Sequence, residues 1–416
     1  MSVDRLTAED EAPPTREPSL WLSCGILVAS ASAMLAFLIV ASSELYLGDL
    51  RVYTEGSQAL SDPGLYTALF PIGDGNTVVP FIYPPFAAIL FYPLHWFPFF
   101  AVAAGWTALT MGAMWGSVRT SLSLVAQQRL STQQMRMYSL LWTALALWMT
   151  PVRHTLYEGQ VSVFLLFGVL LAVRSASNIK SGLLIGFLAG VKLTPAVTGL
   201  YFLVRGRTRA ALAALVGFAG TVLVAFAVSP TNTFDYFTDA IGAATDRVGG
   251  VGTVANQSLR GAIGRFVGYD DGQGAVWLVC AAILIVLAAV AIWRYRSDEL
   301  AVVLVLQLTV CALSPLAWSH HWVWLVPTVI WLLHGPVRRR RWAVPVAVLW
   351  VLGTLTPVIE LLLFVQTSNY IYDRPLWQSI AGACYPIGFL VLLVLMCAGS
   401  PRSESNRDRD AAIIDV

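Results

Sequence analysis

Apolar runs of about 20 residues recur from one end of this chain to the other, and they constrain everything else about it. A run of that length crosses the hydrocarbon core of a bilayer as a helix. The runs are continuous and do not alternate with polar residues, so they read as helices and not as barrel strands. Composition agrees: 57% of the 416 residues are hydrophobic and 12% are charged, against about 25% charged in a soluble domain. The chain therefore reads as an all-α polytopic membrane protein. Its five cysteines all lie inside apolar runs, which predicts neither disulfides nor a cysteine metal site. The sequence has no Walker motif and no dinucleotide fingerprint, and nothing in it points to a nucleic-acid partner.

Charge supplies the orientation. Basic clusters at Arg119/Arg129/Arg136, Arg174/Lys180, Arg205/Arg207/Arg209, Arg294/Arg296 and Arg338–Arg341 all fall in short connections. Such connections face the cytoplasm. The alternation that results gives about twelve transmembrane helices with both termini inside. Of 26 lysines and arginines, 19 fall inside and seven outside. Residues 1–19 read as a disordered cytoplasmic segment. The run beginning at Leu20 is too long for a signal-peptide core and reads as a retained anchor. Residues 20–398 form the transmembrane domain, with outer-face loops at 43–98 and 230–272. Residues 399–416 read as a disordered cytoplasmic tail. The segment 83–97 carries prolines at 84, 85 and 93. It begins and ends outside, as a re-entrant entry to the next helix. Aromatic residues in the 43–82 loop predict interfacial helices there, punctuated by turn signals at Asp62-Pro63-Gly64 and Gly73-Asp74-Gly75-Asn76.

The outer segments collect the chemistry. They hold Gly48-Asp49-Leu50-Arg51-Val52-Tyr53, Tyr83-Pro84-Pro85, Arg153 through Gln160, Lys192-Leu193-Thr194-Pro195, Asn256 through Arg260, and Ser314 through Trp322. Ionisable groups at a membrane edge are costly and are functional candidates by default. Transfer from a lipid-phosphate sugar needs a base for the acceptor hydroxyl and cations or donors for the leaving phosphate. Asp49 is the best-placed base; its plain alternative is the N-cap of the next short helix. Lys192, Arg153, Arg260, His320 and His321 are the phosphate candidates. Snorkelling is the plain alternative for Lys192, a solvated loop face for Arg260, and core packing for one histidine. Arg51, Tyr83 and Gln257 complete the substrate-binding set. No Asp-x-Asp or His-x-x-x-His spacing occurs on this side, which predicts a mechanism without metal or cofactor. A transporter or flippase for a lipid-linked sugar is the rival reading, since proline-broken helices near Lys192 also suit a transport site. A non-catalytic scaffold leaves the edge charges without a purpose.

Taken in order, Gly48 through Tyr53, Tyr83 through His95, Gly159-Gln160, Lys192 through Pro195, Asn256 through Leu259 and Ser314 through Trp322 resemble glycosyltransferase family 87. That family groups actinobacterial mannosyltransferases of the GT-C superfamily. Within it, residues 81–98 look closest to the α-1,2-mannosyltransferases of phosphatidylinositol mannoside synthesis. The resemblance implies a GT-C fold, a polyprenyl-phosphate mannose donor and an extracytoplasmic site at the plasma membrane. It implies that the aspartate of the first outer loop, Asp49, is the base, and that His320 or His321 is the site histidine. It also implies an inverting single displacement, for which one carboxylate suffices. Many GT-C enzymes carry a large soluble domain after the last helix, whereas here a short polar tail follows. Acceptor recognition is then expected from the outer loops, which suits a tetramannosylated phosphatidylinositol receiving its fifth mannose. Lipomannan or lipoarabinomannan is the alternative acceptor.

Overall fold

In the computed structural model, residues 19–41, 46–61, 64–72, 77–126, 129–366, 372 and 374–398 are described. The expected terminal segments 1–19, apart from Ser19, and 399–416 lie outside them, as do Asp62-Pro63 and the turn at 73–76.

The chain is helical almost throughout. It opens with α1 (Leu20–Ala41), the short α2 (Gly48–Gln58) and a two-stranded antiparallel hairpin, β1 (Leu69–Ile72) and β2 (Thr77–Pro80), in which Leu69 pairs with Pro80. Then come α3 (Pro85–Phe91), α4 (Phe99–Ala126), α5 (Thr132–Ala146), α6 (Thr150–Glu158), α7 (Ser162–Arg174) and α8 (Asn178–Val191). The middle holds α9 (Thr198–Val204), α10 (Thr208–Val228), α11 (Pro230–Asp235), α12 (Ile241–Val248) and α13 (Leu259–Val267). Last are α14 (Ala275–Arg294), α15 (Glu299–Leu313), α16 (Leu325–His334), α17 (Ala343–Leu355), α18 (Val358–Phe364), α19 (Leu376–Gly382) and α20 (Cys384–Ala398).

Local sequence explains many of the boundaries. Ser131 and Gln134 form a reciprocal capping box at the start of α5. Ser177, Ser258 and Asp298 cap α8, α13 and α15 through their side chains. Pro85 fits the first turn of α3, where its missing N–H costs nothing.

Five stretches are long and apolar enough to cross a membrane: Leu20–Val40, Phe99–Ala126, Thr208–Val228, Ala275–Arg294 and Ala343–Phe364. Two bent pairs, α6 with α7 and α19 with α20, raise the number to seven. This establishes a multi-pass membrane protein. The twelve-span reading counted each apolar run as one crossing. That count is not confirmed: Asn178–Val191, Thr194–Val204 and Glu299–Leu313 are apolar but only 10–17 residues long, and Ser314-Pro315 ends α15. The re-entrant segment 83–97 is the short α3 followed by one 3₁₀ turn at Tyr92–Trp96.

Burial separates core from rim. Leu300 through Leu308 of α15 are all buried, so this helix is enclosed on every side and central, with its one polar residue there, Gln307, bonded to Thr198. By contrast α10 exposes Leu212, Leu215, Val216 and Leu223, the face expected to meet lipid. Helices α8 and α10 touch through glycine: a Cβ at Gly186 would lie 2.4 Å from the Ala214 carbonyl oxygen. Small residues at this spacing let two backbones approach closely in a membrane.

Candidate functional site

Most of the segments that charge assigns to the outer face meet at one cavity of about 850 Å³. Its walls come from α2, the hairpin, α6, the end of α8, α12, the 314–324 segment and α18.

The centre is built at the α6–α7 bend of 118°. Gly159 ends α6 with φ of 71°, a conformation glycine adopts without penalty. A Cβ there would sit 2.6 Å from Leu50 Cβ, so glycine also lets α2 seat against the bend. Leu47 enters α2 at φ of 37°, the only non-glycine residue with positive φ among the described residues. Its amide donates to the Tyr157 carbonyl at 3.0 Å and its side chain is buried. Packing thus holds a strained backbone immediately before Gly48 and Asp49.

Asp49 is half-buried and lines the cavity. The helix N-cap is Leu47, which makes no side-chain cap bond. The Asp49 carboxylate instead accepts from Gln160 Nε2 at 3.0 Å. Burial pushes its pKa up to about 6, against the opposing pull of the Lys192 charge and the Gln160 bond. Gln160 Nε2 also donates to the Tyr83 hydroxyl at 2.7 Å. Lys192 Nζ lies 3.1 Å from His321 Nε2 and 5.4 Å from the centre of the Tyr83 ring. An ammonium only donates, so His321 accepts at Nε2 and carries its proton on Nδ1. His320, in edge contact with His321, is 7% exposed, and its Nε2 has no partner among the described residues.

A second polar group sits in the same cavity. Glu360 of α18 pairs with Arg153 and accepts from His154 Nε2 at 2.9 Å, while His154 Nδ1 meets the Ser319 hydroxyl.

Of the nine residues singled out from sequence, six line the cavity: Asp49, Tyr83, Arg153, Lys192, His320 and His321. Arg153 is there as the partner of Glu360, not as an unpaired cation. The other three lie elsewhere. Arg260 makes a two-point ion pair with Asp270, at 2.9 and 2.8 Å. Gln257 is fully buried and donates to the carbonyls of Val254 and Gly382. Arg51 points its guanidinium at the Phe99 ring, 4.2 Å away. Asn256 and Gln257 act as a clamp: Asn256 Oδ1 accepts from the Ala317 amide at 2.9 Å, and the Gln257 amide donates to the Ala317 carbonyl at 2.8 Å. That clamp holds Ala317, just before the Ser319–Trp324 turn that carries the histidine pair.

Glu158 and His154, in the stretch Arg153 through Gln160 but given no role from sequence, also line the cavity, as does Glu360, which sequence reasoning passed over. Glu360 was findable: it is an acid inside an apolar run, between Ile359 and Leu361.

Fold and site together define a multi-pass membrane enzyme with a carboxylate and a cation facing one cavity. The chain belongs to glycosyltransferase family 87, whose model matches residues 81–319. It is similar, at 41% identity over 92% of this chain and 88% of the relative, to the polyprenol-phosphate-mannose-dependent alpha-(1-2)-phosphatidylinositol pentamannoside mannosyltransferase of Mycobacterium tuberculosis. The Mycolicibacterium smegmatis protein of the same name is 42% identical over 88% of this chain and 89% of its own. A further M. tuberculosis relative, a polyprenol-phosphate-mannose-dependent alpha-(1-2)-phosphatidylinositol mannoside mannosyltransferase, is 32% identical over 90% of each chain.

Proposed function

We propose that this protein moves mannose from polyprenol-phosphate mannose to a phosphatidylinositol mannoside, forming the α-1,2 linkage of the fifth mannose on the extracytoplasmic face. The observation that carries the reading is Asp49, a half-buried carboxylate at the cavity wall, held by Gln160 and faced by Lys192. The relatives of similar length supply the donor and acceptor classes.

In this mechanism Asp49 takes the proton of the acceptor hydroxyl as that oxygen attacks the anomeric carbon. The bond from that carbon to the phosphate oxygen breaks, and polyprenyl phosphate leaves. Lys192 and the unpartnered Nε2 of His320 meet the phosphate charge. The donor is β-linked and the product α-linked, so a single displacement with one base is enough. Val79, Ile241 and Val248 give the cavity an apolar side for the lipid part. The bias of lysine and arginine toward the opposite connections supports the extracytoplasmic placement.

Purified protein, polyprenyl-phosphate mannose and a phosphatidylinositol tetramannoside should give a pentamannoside by mass spectrometry. Asp49→Asn should lower the rate by about 10²–10⁴ with the fold retained. No product from any lipid mannoside, together with movement of the donor across proteoliposomes, would establish the transporter reading instead. Product only on lipomannan would overturn the acceptor.

A further inference from the structure

We infer that Gln160 is a positioning residue for Asp49, its carboxamide locked in one orientation so that it aims and holds the carboxylate. This deepens the proposed mechanism and rests on Asp49 being the base.

Gln160 is 2% exposed and follows Gly159 at the α6–α7 bend. Its Oε1 accepts from the Val161 amide at 3.0 Å and from the Tyr53 hydroxyl at 2.9 Å. A backbone N–H only donates, so the oxygen must face Val161 and the nitrogen must face the other way. The two Nε2 hydrogens then go to Asp49 at 3.0 Å and to the Tyr83 hydroxyl at 2.7 Å. Both acceptor sites and both donor sites are used. Flipping the group would set N–H against N–H and leave Asp49 facing an oxygen.

The side chain gives the bend one bond, from the Val161 amide, and Gln160→Glu keeps the oxygen that accepts it. The backbone makes the turn itself, through Gly159 and through the Gln160 amide donating to the Thr155 carbonyl at 2.9 Å. The contrast with Gln257 is instructive. Gln257 spends its two donors on backbone carbonyls, as a structural glutamine does. Gln160 spends its donors on two cavity side chains.

The charged and titratable groups facing Asp49 are Tyr46, Tyr53, Tyr83, Glu158 and Lys192. Lys192 and Gln160 favour its ionised form against burial, and the Asp49 charge in turn raises the pKa of Glu158. Losing the Gln160 donor leaves Lys192 to offset burial, so the carboxylate should hold its proton to higher pH.

The test is the pH profile of kcat/KM for the wild type, Gln160→Met and Gln160→Glu, with thermal melting to check folding and Asp49→Asn alongside. In Gln160→Met the acid limb should move up by about one unit. It should move further in Gln160→Glu, which keeps the shape and the Oε1 acceptor but sets a second carboxyl group against Asp49. At neutral pH kcat should fall about 10- to 100-fold while KM stays within about threefold. If Gln160→Met does not fold, Gln160→Glu alone reads the limb. A limb unmoved in the folded variants, or an equal loss at every pH, would overturn the inference. Full activity in Asp49→Asn would overturn the base itself. An inactive Asp49→Asn beside unshifted Gln160 variants would overturn the positioning role alone.

Discussion

Asp49 is the second residue of α2, where a carboxylate is favoured by the helix dipole whether or not it does chemistry. That is why cap and base look alike in sequence. The hydrogen bonds remove the cap reading, since the carboxylate accepts from a side chain 111 residues away and the N-cap is Leu47. The proposed base works only when ionised, and burial pushes the Asp49 pKa up to about 6. Activity should therefore be full above neutrality and fall as pH drops through 6. A steady-state pH profile should show about a tenfold loss at pH 5. Lys192 belongs to the same neighbourhood, and its proposed role is on the donor side. Lys192→Met should raise KM for polyprenyl-phosphate mannose and lower kcat/KM by about 10²-fold, with acceptor KM little changed. A donor KM equal to wild type would remove Lys192 from the phosphate site.

At the scale of elements, the site depends on how α2 meets the α6–α7 bend. Gly159 permits both the left-handed conformation and the close approach of Leu50. Gly159→Ala puts a methyl into Leu50 and adds backbone strain of about 1–3 kcal/mol. The expected outcome is a lower kcat and a modest fall in melting temperature, measured on purified protein. Unchanged kcat would mean that α2 does not need this seat to place Asp49. The α8–α10 contact at Gly186 is a different kind of feature. It holds the bundle together, and no residue of the cavity rests directly on it.

On the scale of the whole molecule, the segments assigned outside by charge are the ones that meet around the cavity. Asp271 is exposed beyond α13, and Arg341 is exposed between α16 and α17. In intact cells, a membrane-impermeant maleimide should label Asp271→Cys and not Arg341→Cys. The reverse pattern would place the cavity on the cytoplasmic side. The membrane class was legible because about 20 apolar residues in a row have one stable home. Span number was less legible, since an apolar run reports hydrophobicity and not whether proline and serine break the helix within it.

Sequence alone determined the membrane class, the family resemblance and the cluster of candidate groups, because all three depend on local composition and order. Asp49, Lys192 and the histidine pair were visible in that way, as ionisable residues at the ends of apolar runs. The tertiary structure alone decided which groups share a cavity. It paired Arg260 with Asp270, turned Gln257 into a clamp, neutralised Arg153 with Glu360 and brought Gln160 to Asp49. Those assignments join residues about 10 to 200 positions apart. Side-chain hydrogen bonds and ion pairs act over about 3 Å, a distance that order along the chain does not encode.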